Sequence, residues 1–392
     1  MKRLSIIACL LIAVLIWTVT VLPSAGACPF CSENQGPTLV GDYANASMVL
    51  YGNFANAKLG GNQIEGTTDF VIEKVLKPNE YLKGVQKGTV TLPRYIQSKN
   101  KFVIFIDVYK GTLDPYRGVE TQAGSELVKY LEGAVKHQST PAPQRLRYCF
   151  DFLNSADFDV AMDAYREFAK ADYKEYSELA KKLPADVLAG WLKDPKTPAY
   201  RYGLYASLLG HCGGKEDAKL LRSMVDDPER RKGSGIDGML AAYIMLQPKE
   251  GWKYVQDMLK NDKQDFMFRY ACLRTVRFLW DQRPDLVPQK ELVGGMGLVL
   301  DQADMADFGI EDLRRWHRWE MTDRVIDLFG LKTHSIPVVK RAVLRFALAS
   351  PEPRAKEFVK SQRERDLEWV RDTEELLKLE SDSQPTPPVK SK

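Results

Sequence analysis

The sequence is poor in histidine and lacks the short motifs of common active sites. Four histidines, His137, His211, His317 and His334, occur among 392 residues, and none has a second histidine or a carboxylate at a metal-binding spacing such as HExxH. There is also no GxSxG, no GxxxxGK[ST] and no GxGxxG after a strand pattern. We therefore predict that the protein is not an enzyme and uses no cofactor or metal.

The sequence also lacks an excess of either charge. It has 56 basic and 52 acidic residues, a net charge of +4, and the two kinds are interspersed. Nucleic-acid-binding proteins usually carry a concentrated basic stripe. We therefore expect no nucleic-acid partner and no polybasic membrane anchor.

Cysteine is scarce as well. One of the six cysteines, Cys9, belongs to an apolar N-terminal run, and the other five are widely spaced. These five are Cys28, Cys31, Cys149, Cys212 and Cys272. A chain of this length can bury a large core, so the pattern does not indicate a disulfide scaffold.

The first 27 residues have the features of a signal peptide. Lys2 and Arg3 precede the apolar run 6–21, and 23–27 ends in a small-x-small pattern that suits signal peptidase. The run is also about as long as the shortest membrane-spanning helices, so an uncleaved anchor is the alternative. We expect export to a secreted or periplasmic (cell-envelope) location, with cleavage leaving Cys28 at the N-terminus.

The stretch "GACPFCSEN" places Cys28 and Cys31 three residues apart just after this leader. A redox CxxC normally begins a helix after a strand in a thioredoxin-like unit, and zinc would need two more ligands. Residues 25–28 partly resemble a lipidation site, which would bring the chain to a membrane. The interpretation we favour is a small structural disulfide formed in an oxidising compartment.

Residues 47–111 have the alternation of β-strands. Val90 and Leu92 alternate with threonines, and 102–106 is continuously apolar, which predicts a central strand buried on both faces. Four such runs occur, and the helix pattern "GSELVKYLEGAV" follows at 124–135. We predict a small barrel of about five strands with this helix packed on it.

The same segments carry a resemblance to a known family. "NASMVLYGNF", "DFVIEKVLKPNEYLKGVQKGTVTLPRYI" and "KFVIFIDVYKG" resemble the oligonucleotide/oligosaccharide-binding-type (OB-like) barrel of tissue-inhibitor-of-metalloproteinase and netrin-like modules. Those modules begin with a cysteine exposed by signal cleavage and held by disulfides to cysteines downstream in the barrel. No cysteine lies between Cys31 and Cys149 here, so the resemblance implies the fold better than the inhibitory activity.

From about residue 147 to 380 the pattern is helical, with turns rich in Pro, Gly and Asp. One small residue inside each run recurs at intervals of 30 to 40 residues: Ala164, Gly203, Ala241, Ala271 and, after a double interval, Ala342. Such intervals are typical of stacked helix pairs, and the cadence resembles HEAT and armadillo-like repeats. An irregular helical bundle of the same content is the alternative.

The densest basic and aromatic stretch is "RRWHRWE" at 314–320. Taken as one helix, it places Arg314 and Arg318 on one face four residues apart and turns Trp316 and Trp319 to different sides. We predict that Trp316 is buried and that Arg314, Arg318 and Trp319 form a partner-binding surface, because such residues dominate interfaces. The alternative is a tryptophan buried between repeats under solvated arginines.

The sequence therefore predicts an exported α+β multidomain protein that binds or scaffolds an unidentified protein partner. The alternatives are a metalloprotease-inhibitor-like module that uses Cys28, and an envelope thiol redox protein that uses Cys28 and Cys31. The predicted segments are a signal peptide (1–27), an OB-like barrel with its helix (28–136), a linker (137–146), a HEAT-like α-solenoid (147–380) and a disordered tail (381–392). Membrane contact is expected only if Cys28 is lipidated or the leader is retained.

Overall fold

The computed structural model describes residues 28–31, 36–60, 66–85 and 88–383. In this part of the chain a five-stranded antiparallel sheet is followed by many helices, so the α+β class is confirmed. The predicted leader lies outside the described residues, and so does the predicted tail beyond Ser383.

The sheet has the strand order β3-β2-β1-β4-β5. Strands β1 to β5 are Met48–Leu59, Gly66–Lys77, Thr89–Leu92, Lys101–Tyr109 and Thr112–Thr121. As predicted, β4 is buried on both faces at 103–106 and pairs with both β1 and β5. One face of the sheet encloses its own apolar core, which contains Met48, Phe70, Leu92 and Ile104.

The predicted barrel does not close. Strands β3 and β5 are the two edges, and no ladder joins them among the residues that the structure describes. Strand β3 has only four residues, and β5 contains Pro115, which has no N–H to donate to a further strand. The edges are linked instead by the ion pair between Arg94 and Asp114 at 3.2 Å.

Seventeen α-helices occur in the described ranges. Helices α1 to α8 are Leu39–Asn45, Leu127–Lys136, Ala142–Phe150, Phe158–Lys170, Tyr173–Ala180, Ala185–Lys193, Tyr202–Cys212 and Lys215–Asp226. Helices α9 to α17 are Ile236–Leu246, Pro248–Lys260, Phe266–Gln282, Gln289–Leu300, Ala306–Arg315, Thr322–Leu328, Pro337–Ala349, Pro353–Arg365 and Leu367–Ser383. None of these helices is long and apolar enough to cross a bilayer.

The turns rich in Pro, Gly and Asp begin helices by ordinary capping chemistry. Asp157 caps α4 by accepting from the backbone N–H groups of its first turn, and Asp265 does the same for α11. Pro248, Pro337 and Pro353 are the first residues of α10, α15 and α16, where a missing N–H costs no hydrogen bond.

Small residues allow two helices to approach closely. A Cβ at Gly238 in α9 would lie 2.5 Å from the carbonyl oxygen of Gly203 in α7. No side chain fits there without moving backbone, so glycine is required at this contact.

By contact density the chain divides into two compact units, at Ala242 and Tyr243 within α9. The sheet therefore belongs to the same unit as α1 to α8. The predicted boundaries at 137–146 concern independent folding and stay predictions. Helix α3 already begins at Ala142, and α17 extends to Ser383, three residues into the predicted tail.

Candidate functional site

The Cys28–Cys31 turn is buried among helices. The two Cα atoms are 5.4 Å apart and the sulfurs are paired, as the favoured disulfide requires. Cys28 is 1% exposed and Cys31 is 0% exposed. The Cys28 N–H donates to the carbonyl of Ala169 at the end of α4 (3.1 Å), and the Phe30 carbonyl lies against Gly203 at the start of α7.

The burial of Cys28 and Cys31 argues against lipidation, redox activity and metalloprotease inhibition by this pair. A sulfur bonded to Cys31 cannot carry a lipid thioether, and buried sulfurs are not accessible to a redox substrate. The Cys28 backbone nitrogen is engaged by Ala169 rather than presented to a metal. The geometry therefore favours a structural disulfide that holds the N-terminal segment on α4 and α7.

The other cysteines with resolved shifts are unreactive. Burial raises the pKa of the Cys212 thiol to about 11 and that of Cys149 much further. Because the thiolate is the reactive form, neither residue is a nucleophile near neutral pH. The neighbouring His211 contacts the hydroxyl of Tyr173 at 3.1 Å.

A buried carboxylate anchors helix α1 to α4. Asp163 is 2% exposed and accepts hydrogen bonds from the Leu39 N–H and, at 3.0 Å, from the Tyr130 hydroxyl. Burial raises its pKa from 3.8 to about 6 against the effect of these bonds, and the nearby Glu167 adds to the rise. Every contact of this group is internal, so its role is structural.

The 314–320 segment is not one helix, which overturns the predicted shared face. Helix α13 ends at Arg315, and His317 has a φ of 55°, in the left-handed region. Arg318 then precedes a short 3-10 turn at Trp319–Met321. The break occurs because a non-glycine residue at positive φ cannot continue a right-handed helix.

Arg314 is committed to an internal ion network. Its side chain is 12% exposed, and it lies 2.8 Å from Glu311 and 2.9 Å from Glu380 in α17. Arg345 of α15 pairs with the same two carboxylates. Burial would raise the pKa of Glu380, but the hydrogen bonds and charges of Arg314 and Arg345 hold it below its usual value.

The two tryptophans of the segment are both half-buried, so Trp316 is not the fully buried one that was predicted. Trp316 stacks on Trp280 of α11, with ring centroids 4.1 Å apart. Arg318 lies over the Trp280 ring at 5.1 Å, which is a cation–π distance. Trp319 instead meets Phe346 edge-on at 5.2 Å.

These contacts belong to a longer surface that sequence reasoning missed. Side chains of α11 and α13 meet through aromatic rings and one ion pair. Tyr270 and Phe308 are 5.2 Å apart, Arg277 and Asp312 pair at 2.7 Å, and Trp280 stacks on Trp316. We call this surface the α11/α13 seam: Phe266, Tyr270, Arg277, Trp280, Phe308, Asp312, Trp316 and Arg318.

The seam follows from residue spacing on each helix. On α11, positions 266, 270, 277 and 280 recur every three, four or seven residues. On α13 and its C-cap, Trp316, positions 308, 312 and 316 recur every four. Such steps place side chains on one face. This signal was available in the sequence, but a stripe of aromatics at helical spacing is also what a buried core shows.

The exposed end of the seam is the start of α11. Phe266 is 37% and Met267 is 62% exposed there.

An open polar groove of about 610 Å³ lies elsewhere, at the end of the sheet, and is lined by residues that include Tyr51, Lys101, Glu120 and Gln122. Its charged groups are largely paired internally: Lys101 with Glu73 at 2.8 Å, and Glu120 with the Asn100 amide. The seam, with aromatic rings at the surface, is therefore the stronger candidate site.

In the part of the chain that the structure describes, no group of three His, Cys, Asp or Glu side chains is placed to hold a metal ion. Comparison with protein-family models, with curated proteins and with solved structures finds no match. The class that the geometry defines is a helical protein with an N-terminal sheet, and its function must be argued from its surfaces.

Proposed function

We propose that this chain is an exported, non-enzymatic binding or scaffold protein that acts through protein–protein contacts, with the α11/α13 seam as its contact surface. The observation that carries the proposal is the set of aromatic rings at the surface of the seam, with the exposed Phe266 and Met267 at one end. Interfaces are enriched in aromatic residues, Met and Arg.

The seam is also held in place before any partner binds. Tyr270 packs on Phe308 and carries Arg277 over its ring at 5.8 Å, while Trp280 lies between Trp316 and Arg318. Side chains that are already ordered lose little rotamer freedom on association. Little of the free energy gained by burying these rings against a partner is therefore lost in ordering them.

We further propose that the helices around the seam form HEAT-like pairs. Alternate helices pack together, α13 on α15 and α15 on α17 in one row, and α10 on α12 and α14 on α16 in the other. Two rows of this kind support a stacked-pair arrangement, in which equivalent helices line one face. The seam would then be part of that face.

The alternatives have less support. An inhibitor that works through the Cys28 amine needs that group free, and here the nitrogen is hydrogen-bonded and buried. A thiol redox protein needs accessible sulfur atoms, and both are buried. Export itself remains part of the proposal, because it depends on the leader.

The test is site-specific photo-crosslinking in cells that produce the protein. A photoreactive phenylalanine analogue at Met267 should give a crosslinked product of defined mass. The same analogue at Lys260, an exposed position on α10, is the matched control. Replacing Phe266 with Ser should abolish the Met267 product at unchanged melting temperature.

Crosslinking that is equal at positions 267 and 260, or absent from 267, would remove the seam as a contact surface. The purified chain should also be assayed for dithiol oxidation, since robust turnover would support the redox alternative instead.

A further inference from the structure

Three aliphatic side chains lie at the surface close together, on the turn that leads into α15. Leu331 is 46% exposed, Ile336 is 41% exposed and Val338 is 53% exposed. Among the described residues, no other stretch as short as this one contains three exposed large apolar side chains. Single apolar side chains at a surface are ordinary, whereas groups of them mark interaction sites.

The turn is held in place by the residue at its centre. His334 is buried, and one of its ring nitrogens lies 2.9 Å from the carbonyl oxygen of Leu300 at the end of α12. Its backbone N–H donates to the carbonyl of Leu331 at 3.1 Å. Residues 331–333 and 335–338, on either side of His334, are all exposed. The turn therefore presents its aliphatic side chains from a backbone that is already ordered.

The same surface carries basic side chains that lack acidic partners. Lys332 and Arg341 are exposed, and neither forms an ion pair in the part of the chain that the structure describes. No acidic residue occurs between 328 and 351. On one side of this run, Asp327 pairs with Arg354, and on the other side Glu352 lies beyond the far end of α15. The positive charge near the turn is therefore not neutralised locally.

Helix α15 brings the two kinds of side chain onto one face. Val338 and Arg341 are three residues apart and both are exposed, whereas Val339 and Val343 are buried. Lys340 lies over the Phe329 ring at 5.2 Å, beside this face. We call this surface the α15 patch: Leu331, Lys332, Ile336, Val338, Lys340 and Arg341.

A surface that is both aliphatic and basic matches the chemistry of a lipid bilayer. Aliphatic side chains insert about 5 to 10 Å, to the boundary between headgroups and acyl chains. Lysine and arginine keep their charged ends at the level of the anionic headgroups. A protein partner matches less well, because the energetically important residues of protein interfaces are enriched in Trp, Tyr and Arg, and Leu and Val are under-represented. The α11/α13 seam has that aromatic composition, and the α15 patch does not.

We infer that the α15 patch docks on the surface of a bilayer that contains anionic lipid. The contact uses side chains of the folded chain, so it needs neither a lipid on Cys28 nor a retained leader. The patch shares no residue with the α11/α13 seam. The inference therefore goes beyond the proposed function and does not rest on it.

The experiment measures sedimentation of the full chain with vesicles of equal parts phosphatidylglycerol and phosphatidylcholine. Replacing both Ile336 and Val338 with Ser should weaken binding by roughly ten-fold, because the apolar area that enters the bilayer is lost. The melting temperature should not change, since both side chains are exposed. The matched control replaces Leu376 and Leu379 with Ser. These are exposed leucines on α17, and binding should be unchanged.

A second pair of variants tests the role of charge. Each basic residue near an anionic membrane surface strengthens binding by roughly five-fold. Replacing both Lys332 and Arg341 with Gln should therefore weaken binding by about ten-fold or more, and the unaltered chain should bind vesicles of phosphatidylcholine alone comparably weakly. Lys249→Gln with Lys263→Gln, two exposed lysines elsewhere in the chain, should have little effect.

A third measurement reports contact at the patch itself, even if another part of the chain also binds the vesicle. An environment-sensitive fluorescent amino acid at Ser335, which is exposed on the turn, should brighten and shift to shorter wavelength on anionic vesicles. The same amino acid at Lys260, an exposed position on α10, is the control and should not respond.

An unchanged signal at Ser335 on anionic vesicles would overturn the inference. Equal losses of binding in the Ile336/Val338 and Leu376/Leu379 variants would also overturn it, because the bilayer would then not select this patch. A photo-crosslink from Ser335 to a protein, with no response to vesicles, would assign the patch to a protein partner instead. Crosslinking at Met267 should persist in the Ile336/Val338 variant. If that crosslink fails in the unaltered chain while vesicles still bind, the proposed function is wrong and this inference stands.

Discussion

Two regions of this chain bring aromatic rings and charged groups together, and they differ in how far water reaches them. Around α4, Tyr130 and the backbone N–H of Leu39 direct their hydrogen bonds inward to Asp163, which is almost fully buried. Along the seam, the Trp280 ring contacts both the Trp316 ring and the Arg318 guanidinium, and all three side chains are half-buried.

This difference in exposure indicates which of the two regions stabilises the fold and which can bind a partner. A buried carboxylate that loses its donors leaves polar groups unsatisfied, so its contacts matter mainly for stability. Half-exposed rings lose little when one neighbour is removed, but they can bury much area against a partner. Stability should therefore respond to the α4 region, and binding should respond to the seam.

The largest expected effect tests the structural side. Asp163→Ala leaves the Leu39 N–H and the Tyr130 hydroxyl without their buried acceptor, so we expect a loss of roughly 3 kcal/mol or more in the free energy of unfolding. Urea unfolding measures it. Asp159→Ala, one turn earlier and exposed, is the matched control, with an expected loss below about 1 kcal/mol. Equal losses would mean that Asp163 is not an anchor.

The pH dependence of stability isolates the same group. Its folded pKa of about 6 exceeds the ordinary value of 3.8, so the fold favours protonated Asp163. The stability that this group contributes is complete below pH 4 and is lost as the pH rises through 6, by about 3 kcal/mol in all. Asp163→Asn should remove this component.

The check is to measure unfolding free energies for the two proteins at intervals from pH 4 to 7 and subtract them. A difference that is flat over this range would show that the carboxyl titrates normally in the fold.

We expect the Cys28–Cys31 disulfide to stabilise the helices on which it packs. The sequence instead predicts that it belongs to the sheet module. Closing so short a loop contributes about 2 kcal/mol, and the turn packs on α4 and α7. Replacing both Cys28 and Cys31 with Ser should lower stability by about this amount. Hydrogen exchange should quicken at the end of α4 and the start of α7, whereas quickening in the sheet alone would favour the original assignment.

Much of the sheet could be predicted from sequence, and the parts that could not have physical reasons. The four strand patterns correspond to β1 to β4 because alternation and continuous apolar runs report burial directly. Strand β5 was missed because Pro115 and Arg117 interrupt its pattern, which is tolerated only at a sheet edge.

The site was less predictable because side-chain partners come from distant parts of the sequence. The sequence predicts a surface position for Arg314, but the residue pairs with Glu380, which is 66 residues later in the chain. Trp316 reads as core, yet Trp280 of the neighbouring helix holds it half-exposed. No proline or glycine lies at the helix break at His317, so the sequence does not predict it.

The smallest expected effects separate the two arginines that the sequence groups together. Arg314→Gln leaves Glu311 and Glu380 with one cation fewer in a poorly exposed network, so we expect a loss of roughly 1 to 2 kcal/mol. Arg318→Gln removes a cation–π contact with Trp280, worth about 0.5 to 1 kcal/mol. Binding at the seam should show the reverse order, with crosslinking at Met267 weakened by Arg318→Gln and kept in Arg314→Gln. If Arg314→Gln abolishes crosslinking without loss of stability, the ion network is part of the contact surface, and the division between structural and binding residues fails at this point.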